Sequence, residues 1–118
     1  MRNQSKMLKI LLTAVLFSGF VMNASSKEIV IDLRTPAEIS ATGIVQGAVS
    51  ADMQSKDFLE RIKKLELASD DKIKLYCRSG RRATHVQQIL KQIGFKDIEN
   101  LGGYEEASRK LNLPLVKP

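Results

Sequence analysis

One segment of the chain gathers residue types that can do chemistry together, Cys77-Arg78-Ser79-Gly80-Arg81-Arg82. Cys77 is the only cysteine, and it closes Lys72-Ile-Lys-Leu-Tyr-Cys77, whose alternation of polar and apolar residues reads as a β-strand. A helical pattern begins by about Arg82. A strand end, a short loop and a helix start can turn several backbone N–H groups inward to cradle an anion, and Gly80 permits the tight turn such a cradle requires. Arg78, Arg81 and Arg82 add positive charge around the sulfur. Helix N-termini and basic neighbours stabilise thiolate over thiol, and the thiolate is the nucleophile. The segment therefore predicts Cys77 as a catalytic nucleophile, with Arg78, Ser79, Gly80, Arg81 and Arg82 binding an anionic substrate. A lone cysteine is often just a small buried hydrophobe. The convergence of strand, glycine loop, arginines and helix on this one weighs against that.

Other polar residues make smaller claims. His85, eight residues beyond Cys77, is expected to be structural or solvent-exposed, because the anion cradle activates the sulfur without a base. Asp32, Arg34 and Glu38 are expected to form a salt-bridge and capping network at a neighbouring strand end. With one Cys and one His the chain offers no His/Cys metal cluster and no intramolecular disulfide. Dithiol redox chemistry is excluded for the same reason. No cofactor is expected.

Alternating elements must position this loop. Glu28-Ile-Val-Ile-Asp-Leu33 is a β-branched run that suits a buried strand. Thr35 then reads as an N-cap, with Pro36 at the first helical position and Glu38 at the third. Gly43 and Gly47 break the next stretch before a short strand at Ala48-Val49. Ser55 to Leu67 predicts a helix with Phe58, Leu59, Ile62 and Leu65 on one face, ended by Ser69-Asp70-Asp71. After the strand ending at Cys77, a helix is expected from about Arg82 to Ile93. Its stripe is Val86, Ile89, Leu90 and Ile93, with Gly94 as C-terminal cap. Asp97 to Leu101 predicts a strand, Gly102-Gly103 a turn, and Tyr104 to Leu111 a last helix, beyond which Pro114 discourages more. The alternation predicts an α/β fold, a small open and mainly parallel sheet flanked by helices. Ligands sit beyond the carboxyl ends of the strands in such sheets, where Cys77 is delivered.

The chain has 118 residues, 43% hydrophobic and 27% charged, which suits one globular domain. Its N-terminal end reads differently. Arg2, Lys6 and Lys9 precede an uncharged, mostly apolar run from Ile10 to Met22, too short for a typical span of about 20 residues. Basic start, apolar core and the small residues Asn23-Ala24-Ser25-Ser26 match a signal peptide. Residues 1–26 are expected to be removed by cleavage before Lys27, or alternatively before Ser25, leaving a domain at 27–118 in the periplasm. No cysteine stands near the cut to carry a lipid. Removing residues 1–26 takes away three Lys/Arg and no acid, so the net charge falls from +6 to +3. Little then argues for a nucleic-acid partner, and no membrane contact is expected after cleavage.

The loop Cys77-Arg-Ser-Gly-Arg-Arg82 resembles the Cys-Arg-x-Gly-x-Arg active-site loop of rhodanese-type sulfurtransferases. Asp32-Leu-Arg34, Glu38, Gly43 and Gly47-Ala48 are similar to that family's N-terminal pattern, and Asn100-Leu-Gly-Gly-Tyr104 to its C-terminal one. The resemblance covers nearly all of 27–118 and is strongest to single-domain periplasmic members of the phage-shock type. Ile44 and Val45 stand where the family often has His-Ile. The resemblance implies a thiosulfate sulfurtransferase in which Cys77 takes a sulfur from a small anionic donor, thiosulfate, as a persulfide. A thiophilic acceptor such as cyanide then removes it. A monomer is expected. The alternatives are a non-catalytic binding or sulfur-carrier module and a cysteine-dependent phosphatase or arsenate reductase. The related phosphatase loop is Cys-x5-Arg, which would put arginine at position 83, where this chain has Ala83.

Overall fold

The computed structural model describes residues 26–118. The signal-peptide reading falls on the N-terminal residues outside that range. Among the described residues no helix is long and apolar enough to cross a membrane.

Four strands form one parallel sheet: β1 (Glu28–Asp32), β3 (Val49–Ser50), β4 (Lys72–Cys77) and β5 (Asp97–Gly103), in the order β3-β1-β4-β5. A small antiparallel pair, β2 (Ile44–Val45) with β6 (Leu115–Val116), lies apart from it. The helices are α1 (Pro36–Thr42), α2 (Phe58–Lys64), α3 (Arg81–Gln92) and α4 (Tyr104–Leu111). From β1 the chain steps to β3 on one side, then returns past β1 to β4 and β5 on the other. The order therefore reverses between β1 and β4. In open α/β sheets that reversal opens a crevice at the carboxyl ends of the two strands, and Cys77 ends β4 at its rim.

Strand alternation divides the core into two layers. Ile31, Leu33, Ile73, Leu75, Cys77 and Ile98 face α2 and α3, where Phe58, Ile62, Ala83, Val86 and Leu90 close over them. Val45, Tyr76, Leu101 and Ala107 form the opposite layer, with Tyr104, Leu111 and Leu115 packed against it. The period of two thus sends Cys77 to the side from which α3 starts.

Several boundaries differ from the sequence reading. α2 is shorter than Ser55–Leu67, because Ser55 and Asp57 bond to each other and hold 55–57 as a turn. At its other end Glu66 adopts a left-handed φ of 51°. The short strand expected at Ala48-Val49 forms at Val49–Ser50, and β2 and β6 were not anticipated. Two-residue strands carry too little pattern to read. Gly102-Gly103 continues β5 instead of turning. Leu59 and Ile93, expected in the core stripes, are 52% and 60% exposed. They flank a shallow apolar groove with Ile62, Leu67, Ile89 and Phe95.

Beneath the sheet's carboxyl edge lies a buried ion pair. Arg34 and Asp32 are 1% and 0% exposed, 2.8 Å apart between Nη2 and Oδ2. The guanidinium also donates to Asp32 through Nε, to Thr42 Oγ1 at 2.7 Å and to the Gly43 carbonyl at 2.8 Å. Its flat face lies over the Tyr104 ring, 4.5 Å from the centroid. Removing one member of such a pair strands a buried charge, at a cost of about 3–5 kcal/mol. Arg34→Met is therefore expected to lower the thermal midpoint by more than about 10 °C in a domain of this size. A circular-dichroism melt checks this, and a shift of only a few degrees would refute the role given to the pair.

Candidate active site

Cys77 is 1% exposed, at the floor of the loop that joins β4 to α3. Gly80 N–H donates to its Sγ at 3.0 Å. The loop is tight because Gly80 adopts φ +95°, a left-handed conformation that costs other residues energy. It also passes close under β5, where a Cβ on Gly103 would stand 2.5 Å from the Arg78 carbonyl oxygen. Gly103 thus permits the close approach of the loop to β5.

α3 begins without a cap of its own. Gly80, at the N-cap, has no side chain to offer, and no acid stands in the first turn. α1 contrasts with this, because Thr35 and Glu38 cap it reciprocally, as expected. So does α4, where Glu106 accepts from Gly103 N–H. The free N–H groups at a helix start carry the positive end of its dipole. At α3 no side chain caps them.

The three arginines do not share one task. Arg82 makes a bidentate pair with Glu38, at 2.8 and 2.7 Å, across the crevice between β1 and β4. Its guanidinium is thereby engaged, so it fixes the loop to α1 and contributes charge near the sulfur. Arg78 and Ser79 are exposed on the rim. Arg81, with Ser79, Gly80, Thr84, Asn100 and Lys110, lines an open polar cavity of about 520 Å³ beside the loop. His85 is exposed on α3 and makes no hydrogen bond to Cys77. Asp32 and Arg34 belong to the buried pair below. Ile44, where the family often has histidine, is a half-buried strand residue of β2 opposite Val116. Ala83 is wholly buried in the α3 layer of the core. Among the described residues no three His, Cys, Asp or Glu side chains gather as metal ligands.

Asn100 is the residue that sequence reading missed. It bonds to Gly80, Thr84 and Gly102. Nothing in its spacing from Cys77 signals that contact, which β-pairing alone creates.

Two expectations follow. A small anionic reagent should be drawn to the sulfur, so iodoacetate should alkylate Cys77 faster than neutral iodoacetamide at low salt, with the advantage shrinking near 1 M, where the Debye length is about 3 Å. Alkylation rates at two ionic strengths test this, and a ratio independent of salt would refute an electropositive mouth. The second concerns Glu38, whose hydrogen bonds from Arg82 hold its carboxyl at about 2, below the ordinary 4.5. A depressed folded-state value means stability present above about pH 4.5 and lost as pH falls towards 2. Glu38→Gln should cost about 1 kcal/mol at pH 7 and flatten the acid limb of a stability-against-pH curve. An unchanged limb would show that the pair contributes nothing.

The family described as Rhodanese-like domain matches residues 21–110. The thiosulfate sulfurtransferase PspE of Escherichia coli is 32% identical over 87 residues, spanning 74% of this chain and 77% of that protein. A sulfurtransferase of Allochromatium vinosum is 34% identical over 90 residues, spanning 76% and 79%. A solved structure titled as a rhodanese with anions, from E. coli, superposes with a TM-score of 0.64 at 31% identity, covering 77% of this chain and 99% of that one.

Proposed function

The chain belongs to the rhodanese family and is a rhodanese-type sulfurtransferase; on that premise we propose that it carries sulfur from thiosulfate as a persulfide on Cys77. One observation carries the assignment to this residue. The lone thiol lies at the floor of a six-residue loop, Gly80 N–H points at it from 3.0 Å, and the α3 start above it has no side-chain cap.

The Cys77 thiolate attacks the outer sulfur of thiosulfate. A sulfur–sulfur bond forms to Cys77, and the donor's own sulfur–sulfur bond breaks, its electron pair leaving on sulfite. The terminal sulfur of the resulting persulfide is negative. The N–H groups of Gly80 and of the α3 start stabilise that charge by charge-assisted hydrogen bonds. Arg78, Ser79 and Arg81 line the approach for the donor's sulfonate, while Arg82, braced by Glu38, adds fixed positive charge. A thiophilic acceptor then attacks the terminal sulfur. Cyanide leaves as thiocyanate and the Cys77 thiolate returns, a covalent two-step exchange with ping-pong kinetics. With no second cysteine in the chain, the sulfur leaves to an external acceptor. The burial of Ala83 supports sulfur transfer over phosphate chemistry, because position 83 faces the core and not the loop mouth.

The working form is a monomer of residues 27–118 in the periplasm, reached by cleavage of a signal peptide at 1–26. The basic start and the apolar run Ile10–Met22 support this, and likeness to PspE is consistent with it.

Intact mass of the protein from a periplasmic fraction tests these points together. Thiosulfate should add about 32 Da, one sulfur held reversibly as a persulfide. Cyanide should remove it, and Cys77→Ser should never gain it. A starting mass that retains residues 1–26 would overturn the export reading. Failure to add sulfur would overturn Cys77 as carrier.

A further inference from the structure

Gly80 is held on both sides of its Cα by different partners. Its N–H donates to Cys77 Sγ at 3.0 Å. Its carbonyl accepts from the Thr84 N–H, from Thr84 Oγ1 and from Asn100 Nδ2, each at 3.0 Å. Asn100 is fixed in turn, its Nδ2 also donating to Thr84 Oγ1 at 3.0 Å and its Oδ1 accepting from Gly102 N–H at 2.8 Å. This amide comes from β5, where Asn100 pairs with Leu75, two residues before the nucleophile.

In a trans peptide the carbonyl and the following N–H point in opposite directions. Drawing the Gly80 carbonyl towards Asn100 and Thr84 therefore turns the Arg81 N–H back out of the helix start, into the loop. That is the side from which Gly80 N–H reaches the sulfur. The lock matters because glycine resists rotation least, and Gly80 already sits at φ +95°. Rotating the Gly80–Arg81 peptide would turn the Arg81 N–H away from the loop and put the Gly80 carbonyl oxygen in its place, beside the N–H that Gly80 gives to the sulfur. A persulfide or a sulfonate would then meet a partial negative charge in place of a donor.

We infer that Asn100, assisted by Thr84, is a positioning residue for sulfur transfer. It holds the Gly80–Arg81 peptide so that the loop presents donors to the terminal sulfur and to the donor's sulfonate, without touching either. The inference rests on the sulfur-transfer reading and adds to it the group that orients the anion cradle from outside the loop.

The test uses Asn100→Ala, Thr84→Val and the parent protein, with inorganic sulfate as the anion probe. Binding is followed through the amide resonances of Gly80 and Arg81, and the KM and kcat for thiosulfate are measured alongside. Asn100→Ala should weaken sulfate binding and raise KM at least fivefold, and should alter both amide shifts. Thr84→Val should move the same quantities in the same direction by less. Asn100→Ser, which puts a shorter hydroxyl donor in place of the amide, should recover part of the loss. A purely structural role would lower the melting temperature of Asn100→Ala yet leave sulfate affinity and KM within twofold of the parent, which would overturn the inference. A parent that binds no sulfate would overturn it as well. Should Asn100→Ala fail to fold, Thr84→Val on the exposed face of α3 decides by the same criteria. A parent that binds sulfate but forms no persulfide would instead defeat the sulfur-transfer reading while leaving the lock to be judged by sulfate alone.

Discussion

A guanidinium taken wholly out of water must have nearly every N–H satisfied, since the effective penalty is several kcal/mol per buried ion. Arg34 imposes that demand on this fold. Its partners come from three places: Asp32 at the end of β1, Thr42 and Gly43 at the end of α1, and the ring of Tyr104 at the start of α4. Meeting it fixes where α1 ends and how it lies against β1. Once α1 is placed, Glu38 in its first turn faces the crevice. Arg82 then reaches it from the other side, and the loop around Cys77 is tied to α1. One buried charge thus organises the carboxyl edge of the sheet. Tyr76 completes the layer below, where burial pushes its phenol well above the ordinary value and the neutral hydroxyl accepts from Val45 N–H.

Helix starts need acceptors, and the protein treats them unequally. At α1 and α4 glutamates turn back to take backbone N–H groups. At α3 the N-cap is glycine and no acid follows. An acid there would satisfy the first turn in the resting state, and would repel the thiolate, the donor and the persulfide alike. Leaving that turn uncapped costs some helix stability. Under the proposed mechanism it keeps the donors for the anion formed during turnover, so the interaction would strengthen as negative charge appears on the sulfur.

Loop and sheet depend on each other through glycine. The loop lies close under β5 only because Gly103 lacks a side chain, and it turns only because Gly80 accepts a left-handed φ. Close approach in turn lets Asn100 reach the Gly80 carbonyl. The Asn100 amide carried by β5 bears on the direction of the peptide that opens α3. Backbone orientation around Cys77 is a property of two strands and a helix together, not of six residues.

Much of this was legible in the sequence, for local reasons. Thr35, Pro36 and Glu38 specify a helix start among themselves, and the alternation in Lys72–Cys77 assigns Cys77 to one face of a strand. The strand–helix alternation announced a parallel sheet, and with it the delivery of Cys77 to the sheet's carboxyl edge. Where local pattern was thin, the reading failed: two-residue strands, the paired glycines that continue β5, and Leu59 and Ile93, which carry the right period but face an open groove. Only the tertiary structure could decide which arginine is free, since the Glu38–Arg82 pair joins residues 44 apart. The same holds for Asn100, brought to Gly80 across 20 residues by the pairing of β5 with β4. Sequence spacing encodes contacts within a turn or along a strand, because there the backbone geometry is periodic. Contacts between elements are set by strand order and register, which arise when the two apolar layers close over the sheet.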